Sequence, residues 1–288
     1  MTKIVNDSYP GSLTDEQIKA KFLEDSMSGA VPTTQKIDVP TEIIELPSRG
    51  YFYPEGHPLS SGKIEMKYMT AKEEDILASQ NLIKQGVVID KLLQSLIVTK
   101  CNYNDILTID KNAIFIAARM LSYGKDYEIN VTCPNCGEKH DTVVDIAEFE
   151  EKEIDWSVFT KGQNSFEFTL PAATKNKLTL KMLTHGDEKQ VEESLKAYKK
   201  LSKLTGVDSE LTTRLKHTII AVDGDTDKNK INKFVDSMLA INSLALRKFL
   251  KEVTPDIKTV FNDTCPHCGH EQEGAQLPIG VGFFWPNI

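Results

Sequence analysis

The sequence predicts an α+β protein built from one unit used twice, with the copies sharing a four-cysteine site of zinc-ribbon type. Three observations carry this expectation. "VTCPNCGEKH" at 131–140 returns as "DTCPHCGHEQ" at 263–272. "EIIELP" (42–47) and "KIEMKYMTAKEEDI" (63–76) resemble "FEFTLP" (166–171) and "KLTLKMLTHGDEKQ" (177–190). Helical patterning fills the interval before each cysteine segment. Self-similarity in a constant order is the mark of a duplicated unit, here strand, strand, helices, strand, knuckle, strand. The predicted organisation is an N-terminal arm over 1–40, copy one over 41–150, and copy two over 151–288 with an aromatic tail.

The arm is polar, and its composition predicts a flexible segment with one helical candidate. There Thr14 and Gln17 have capping-box spacing, and Ile18, Phe22 and Met27 make a short apolar stripe. In each copy the second strand alternates apolar residues: Ile64, Met66 and Tyr68, then Leu178, Leu180 and Met182. A threonine ends each of these strands with an acid three residues on, Thr70 with Glu73 and Thr184 with Asp187, which is the spacing of a capped helix start. Val88, Leu92, Leu93, Leu96 and Ile97 share one helical face, as do Ile231, Phe234, Val235, Met238 and Leu239. "TIDKNAIFIAARML" then parallels "AINSLALRKFL", and a strand marked by Tyr127, Ile129 and Val131 runs into the first knuckle. Copy one carries an enlarged loop, "SRGYFYPEGHPLSSG", and copy two carries extra loop residues around 200–230.

Each Cys-Pro-x-Cys-Gly unit can turn two thiolates toward one ion, and the glycine permits the turn. Two such units predict one structural zinc per chain, held by Cys133, Cys136, Cys265 and Cys268. A competing arrangement completes each knuckle separately with His140 in copy one and His267 or His270 in copy two. With all four positions filled by thiolate, no coordination site remains for water or substrate. Cys101 is left as a packing residue.

Composition narrows the function. Of 288 residues, 40% are hydrophobic and 26% charged, which is ordinary for a globular chain. Apolar runs stay shorter than ten residues, so no membrane span is expected. The N-terminus lacks the pattern of a signal peptide, which points to a reducing cytoplasm. A net charge of −8, with no Lys/Arg run longer than two, weighs against nucleic acid as the main ligand. No HExxH, Walker loop or GxSxG occurs, and "GVGFF" lacks a dinucleotide context. Asp223, Asp225 and Asp227 have calcium-loop spacing, but Lys228 and Phe234 stand where glycine and a bidentate Glu belong, so a solvated turn is expected. The acids Glu148, Glu150, Glu151 and Glu153 suggest a charged linker, and His185 is given no role.

Two segments look made for contact. Arg49, Tyr51, Phe52 and Tyr53 crowd the enlarged loop, with residue types that dominate binding hot spots. Phe283, Phe284 and Trp285 are costly to leave in water. Either group also fits a plug for the chain's own core.

These residues carry a resemblance as well. "ELPSRGYFYPEG", "IEMKYMTAKEEDIL", "ARMLSYGKDYEINVTCPNCG" and the "FFWP" end are similar to the baseplate proteins of T4-like tailed bacteriophages, hub subunits and hub-assembly factors among them. The resemblance implies a non-enzymatic role in building the hub of a contractile tail, with other baseplate proteins as partners and no small-molecule substrate. It implies a protein present in the host cytoplasm during assembly and retained, if a virion subunit, in the tail baseplate. It maps the family's knuckle onto Cys133 and Cys136 and its Pro-Ser-Arg-Gly segment onto Pro47–Gly50. The alternatives are a zinc-ribbon nucleic-acid-binding regulator and, behind it, a zinc hydrolase.

Overall fold

In each half, a short antiparallel strand pair presents one apolar face to a helix. A computed structural model describes residues 39–171, 175–202, 209–277 and 281–284; the N-terminal arm and Trp285 lie outside them. Strand β1 (Thr41–Glu45) pairs with β2 (Lys63–Lys67), Thr41 opposite Lys67. Strand β6 (Phe166–Thr169) pairs with β7 (Lys177–Leu180), Phe166 opposite Leu180. Ile64 and Met66 on β2, like Leu178 and Leu180 on β7, are buried, as alternation requires. Pairing stops one residue before Tyr68 and two before Met182, whose N–H groups instead reach Pro40 O and Asn164 Oδ1.

Both predicted helix starts are capping boxes. The Glu73 carboxylate accepts from the Thr70 N–H at 3.0 Å and opens α1 (Ala71–Ala78), which α2 (Gln80–Gln85) follows. Thr184 and Asp187 exchange backbone-to-side-chain bonds of 3.0 and 3.2 Å at the start of α5 (His185–Ser202). Helix α3 (Val88–Leu96) buries Val88, Leu92, Leu93 and Leu96, and the chain then touches β2 through an Ile97–Met66 bridge.

The second half makes the same return more fully. Helix α6 (Glu210–Thr218) leads into β8 (Ile219–Val222), a third strand on β7 with Ile219 opposite Leu180. Within 200–230, where extra loop residues are expected, Glu210–Thr218 and Ile219–Val222 are helix and strand. Helix α7 (Lys228–Asp236) follows β8. The stripe expected through Leu239 ends early: α7 stops at Asp236, and Leu239 turns to extended backbone to cap α8 (Ala240–Val253).

Helix α4 (Thr108–Tyr123) supplies the centre of the first half, with Ala113 to Arg119 all buried. Leu107 and Leu239 cap α4 and α8 with nearly the same backbone angles, and the third residue of each helix is a buried polar group, Asp110 and Asn242. One continuous core joins the halves, with Phe52, Phe159 and Phe166 meeting edge to face. From Pro40 onward the described residues belong to one compact unit.

The enlarged loop is a chain of tight turns closed by Leu46 N–H on Gly62 O. Gly50 and Gly62 allow its two arms to touch; a Cβ on Gly50 would lie 2.3 Å from Ser60 O.

Candidate metal centre

Two hairpins carry the cysteines. Strand β3 (Asp126–Thr132) pairs with β4 (Lys139–Asp145), and β10 (Val260–Thr264) pairs with β11 (Glu271–Gln276). The connecting turns are the same. Cys133 N–H donates to Glu138 O and Gly137 N–H to Cys133 O; Cys265 N–H donates to His270 O and Gly269 N–H to Cys265 O, all at 2.9 Å. Gly137 and Gly269 both have positive φ, 77° and 70°, which glycine adopts without the Cβ penalty.

The hairpin tips face each other, so that the four sulfurs lie within 4.8 Å of one another. Cys133 Sγ is 3.7 Å from Cys268 Sγ, and Cys136 Sγ is 3.7 Å from Cys265 Sγ. A tetrahedron of metal–sulfur bonds of about 2.3 Å has edges of about 3.8 Å, so the spacing and the all-sulfur donor set suit a soft divalent ion such as zinc. Cys133 and Cys265 are buried, whereas Cys136 and Cys268 are exposed. The Asn135 amide lies 3.5 Å from Cys268 Sγ and, with the His270 N–H, pulls that thiol down to about 6.

His140 does not join the sulfurs. Its Nε2 lies 2.8 Å from Asp263 Oδ2, and both side chains are buried between the hairpins. Among the described residues the four cysteines are the only group of three or more His, Cys, Asp or Glu placed to hold a metal.

The family described as T4 bacteriophage base plate protein matches residues 47–285, most of the chain. The chain belongs to that family. No curated protein and no solved structure matches it. Among the described residues of this baseplate protein, no helix is long and apolar enough to cross a membrane.

The halves of the baseplate protein also exchange straps. After the first hairpin, β5 (Glu150–Glu151) pairs with β9 (Ile257–Lys258) of the second half. Lys152 Nζ then donates to Lys251 O, Glu252 O and Thr254 O, the unsatisfied carbonyls ending α8. After the second hairpin, Phe283 and Phe284 pack on Phe115 of α4, and Arg119 Nε donates to Phe283 O at 3.1 Å. The acidic segment expected as a linker is thus a paired strap, because Lys152 sits inside it.

The aromatic loop is placed with equal definition. Phe52 and Tyr53 are buried, and the Tyr53 hydroxyl donates to Asp110 Oδ2 while accepting from the Leu107 N–H. Arg49 pairs with Glu151 at 2.9 Å, lies over the Trp156 ring and keeps an exposed side chain. Tyr51 packs on Trp156 with ring centroids 4.6 Å apart and is half-buried. The Asp223 loop is a turn held by Asn176 and Lys177.

One residue without a sequence signal turns out to matter. His185 sits where the halves meet beside the capped helices, its Nδ1 3.0 Å from Lys111 Nζ and its ring 4.6 Å from Tyr103. Lys111 and Tyr103 also bond Asp90 Oδ1, both at 2.9 Å. Neither "THGDE" nor "IDKNA" announces this cluster, since its members come from four elements.

Proposed function

We propose that this baseplate protein is a non-enzymatic scaffold of the tail hub, in which one zinc on Cys133, Cys136, Cys265 and Cys268 clasps the halves of a duplicated unit. The observation that carries this reading is the convergence of one cysteine pair from each half on a single cluster of tetrahedral dimensions. Duplication is supported by the matched capping boxes, helix caps and knuckle turns, and by straps that cross in both directions. A site closed by four thiolates leaves no position for a reacting water, which favours structure over catalysis. Metal binding then contributes directly to folding free energy.

The surfaces that the clasp steadies include the loop at Arg49 and Tyr51, with Phe52 and Tyr53 anchoring it from below. Phe283 and Phe284, buried against Phe115, anchor the C-terminal strap from within, and Trp285, next in the sequence, completes the proposed partner surface. Other baseplate subunits are the partners, met in the host cytoplasm during assembly and in the tail baseplate afterwards. The nucleic-acid alternative is not favoured, given the net charge of −8.

Comparative proteomics of assembly intermediates and mature particles tests the function. The expected result is co-purification with hub components in intermediates, particles or both, and defective hubs on deletion. Absence from both fractions with normal hubs in the deletion would overturn it.

A further inference from the structure

One contact between the halves has no counterpart where a repeated geometry calls for one. Leu107, the cap of α4, forms an antiparallel bridge with Thr184. Thr108 N–H donates to Leu183 O at 2.9 Å, and His185 N–H donates to Ile106 O at 2.8 Å. Leu107 is 1% exposed as a result. The first N–H groups of α4 and α5, which have no partner within their own helices, are satisfied across this seam.

The same two pieces occur a second time. Leu239 caps α8 as Leu107 caps α4, with Asn242 N–H and Ser243 N–H bonded back to Leu239 O as Asp110 and Lys111 are to Leu107 O. Thr70 opens α1 with the same acid-at-three box as Thr184. Yet among the described residues no bridge joins Leu239 to Thr70. Leu239 is 52% exposed, Ile241 60% and Leu244 44%, an apolar patch at the start of a helix. Ala71 and Lys72 at the other piece are exposed too.

The polar cluster explains why one seam closes within the chain and the other does not. His185, Lys111, Asp90 and Tyr103 lock the formed contact. In the second pair Ala71 stands for His185 and Ser243 for Lys111, so the lock is missing and the surface is apolar instead.

We propose that a second copy of this chain closes the open seam, the Met69–Ala71 turn of one molecule forming an antiparallel bridge with Leu239 of the next. The contact joins two different patches, so it closes as a reciprocal two-fold pair or propagates into a ring or an open chain. The proposal rests on the scaffold reading only for its setting; its geometry comes from the formed seam.

Sedimentation velocity of the full-length, zinc-supplied protein over a concentration series tests it, with the Leu239→Glu/Ile241→Glu variant alongside. Wild type is expected to form concentration-dependent species above its 32.3 kDa mass, while the variant stays monomeric with unchanged circular dichroism and metal content. Mixing Ala71→Cys chains with Leu239→Cys chains is expected to give an intermolecular disulfide that neither gives alone, identified by peptide mass. A wild type that stays monomeric throughout overturns the proposal. So does a disulfide between two Leu239→Cys chains, or closure within one chain carrying both substitutions. A monomeric wild type that still enters tail particles sinks this proposal alone, whereas absence from particles and intermediates sinks the scaffold reading.

Discussion

Asp110 offers the sharpest energetic test of the core. Its carboxylate is fully buried, accepting from the Ser48 N–H at 3.0 Å and the Tyr53 hydroxyl at 2.8 Å. Burial dominates these bonds and pushes its pKa up from 3.8 to about 6. The folded chain therefore holds this proton more tightly than the unfolded one. The resulting stabilisation is complete below about pH 4 and is lost as pH rises through about 6. A shift of roughly two units corresponds to about 3 kcal/mol at 1.36 kcal/mol per unit. Asp110→Asn removes the titration and substitutes the side chain of Asn242, which is likewise buried at the third position of its helix. Urea denaturation of both proteins at several values between pH 4 and 8 isolates the effect, since the titration of every other group cancels in the difference. The stability of the variant relative to wild type should rise by about 3 kcal/mol from pH 4 to pH 7 and then level off. A difference that does not change with pH would refute the buried-carboxyl argument.

Three further outcomes follow from local geometry. Gly50→Ala should cost about 2–5 kcal/mol in chemical denaturation, because φ is +75° and the new Cβ meets Ser60 O at 2.3 Å. Phe284→Ala should cost about 3–5 kcal/mol by the same measurement, since the ring is fully buried against Phe115. Burial and the Lys111 ammonium hold His185 below its usual 6.5, against the pull of Asp90. The folded seam thus binds fewer protons than the unfolded chain, and its stability should fall as pH drops below about 6.5. The protection factors of the amides at positions 108 and 185, which take out the ordinary slowing of exchange at lower pH, should fall on acidification in wild type, and His185→Ala should abolish that dependence.

Much of this fold is legible in the sequence where the determinant is local. Ile64–Met66 and Leu178–Leu180 alternate because one face of each strand is buried, and the Thr–acid spacing specifies a capping box whatever lies around it. Cysteine spacing likewise specifies the knuckle turns, and their duplication makes convergence on one cluster the economical expectation. Long-range features leave weaker traces. The Lys152 strap reads as an acidic linker, because its determinant is the set of open carbonyls at Lys251–Thr254, about a hundred residues away. The helical stripe through Leu239 runs past the true end of α7, since periodicity does not register that Leu239 must become extended to cap the next helix. His185 looks like a loop residue until Asp90, Tyr103 and Lys111 come together around it.

The central claim, that one zinc shared by four cysteines clasps the two halves, is tested most directly by native mass spectrometry of the purified chain with and without Cys133→Ser or Cys268→Ser. One zinc per wild-type chain, lost in either variant together with folded stability, is the expected result. Two zincs per wild-type chain, or one retained in either variant, would contradict the shared clasp.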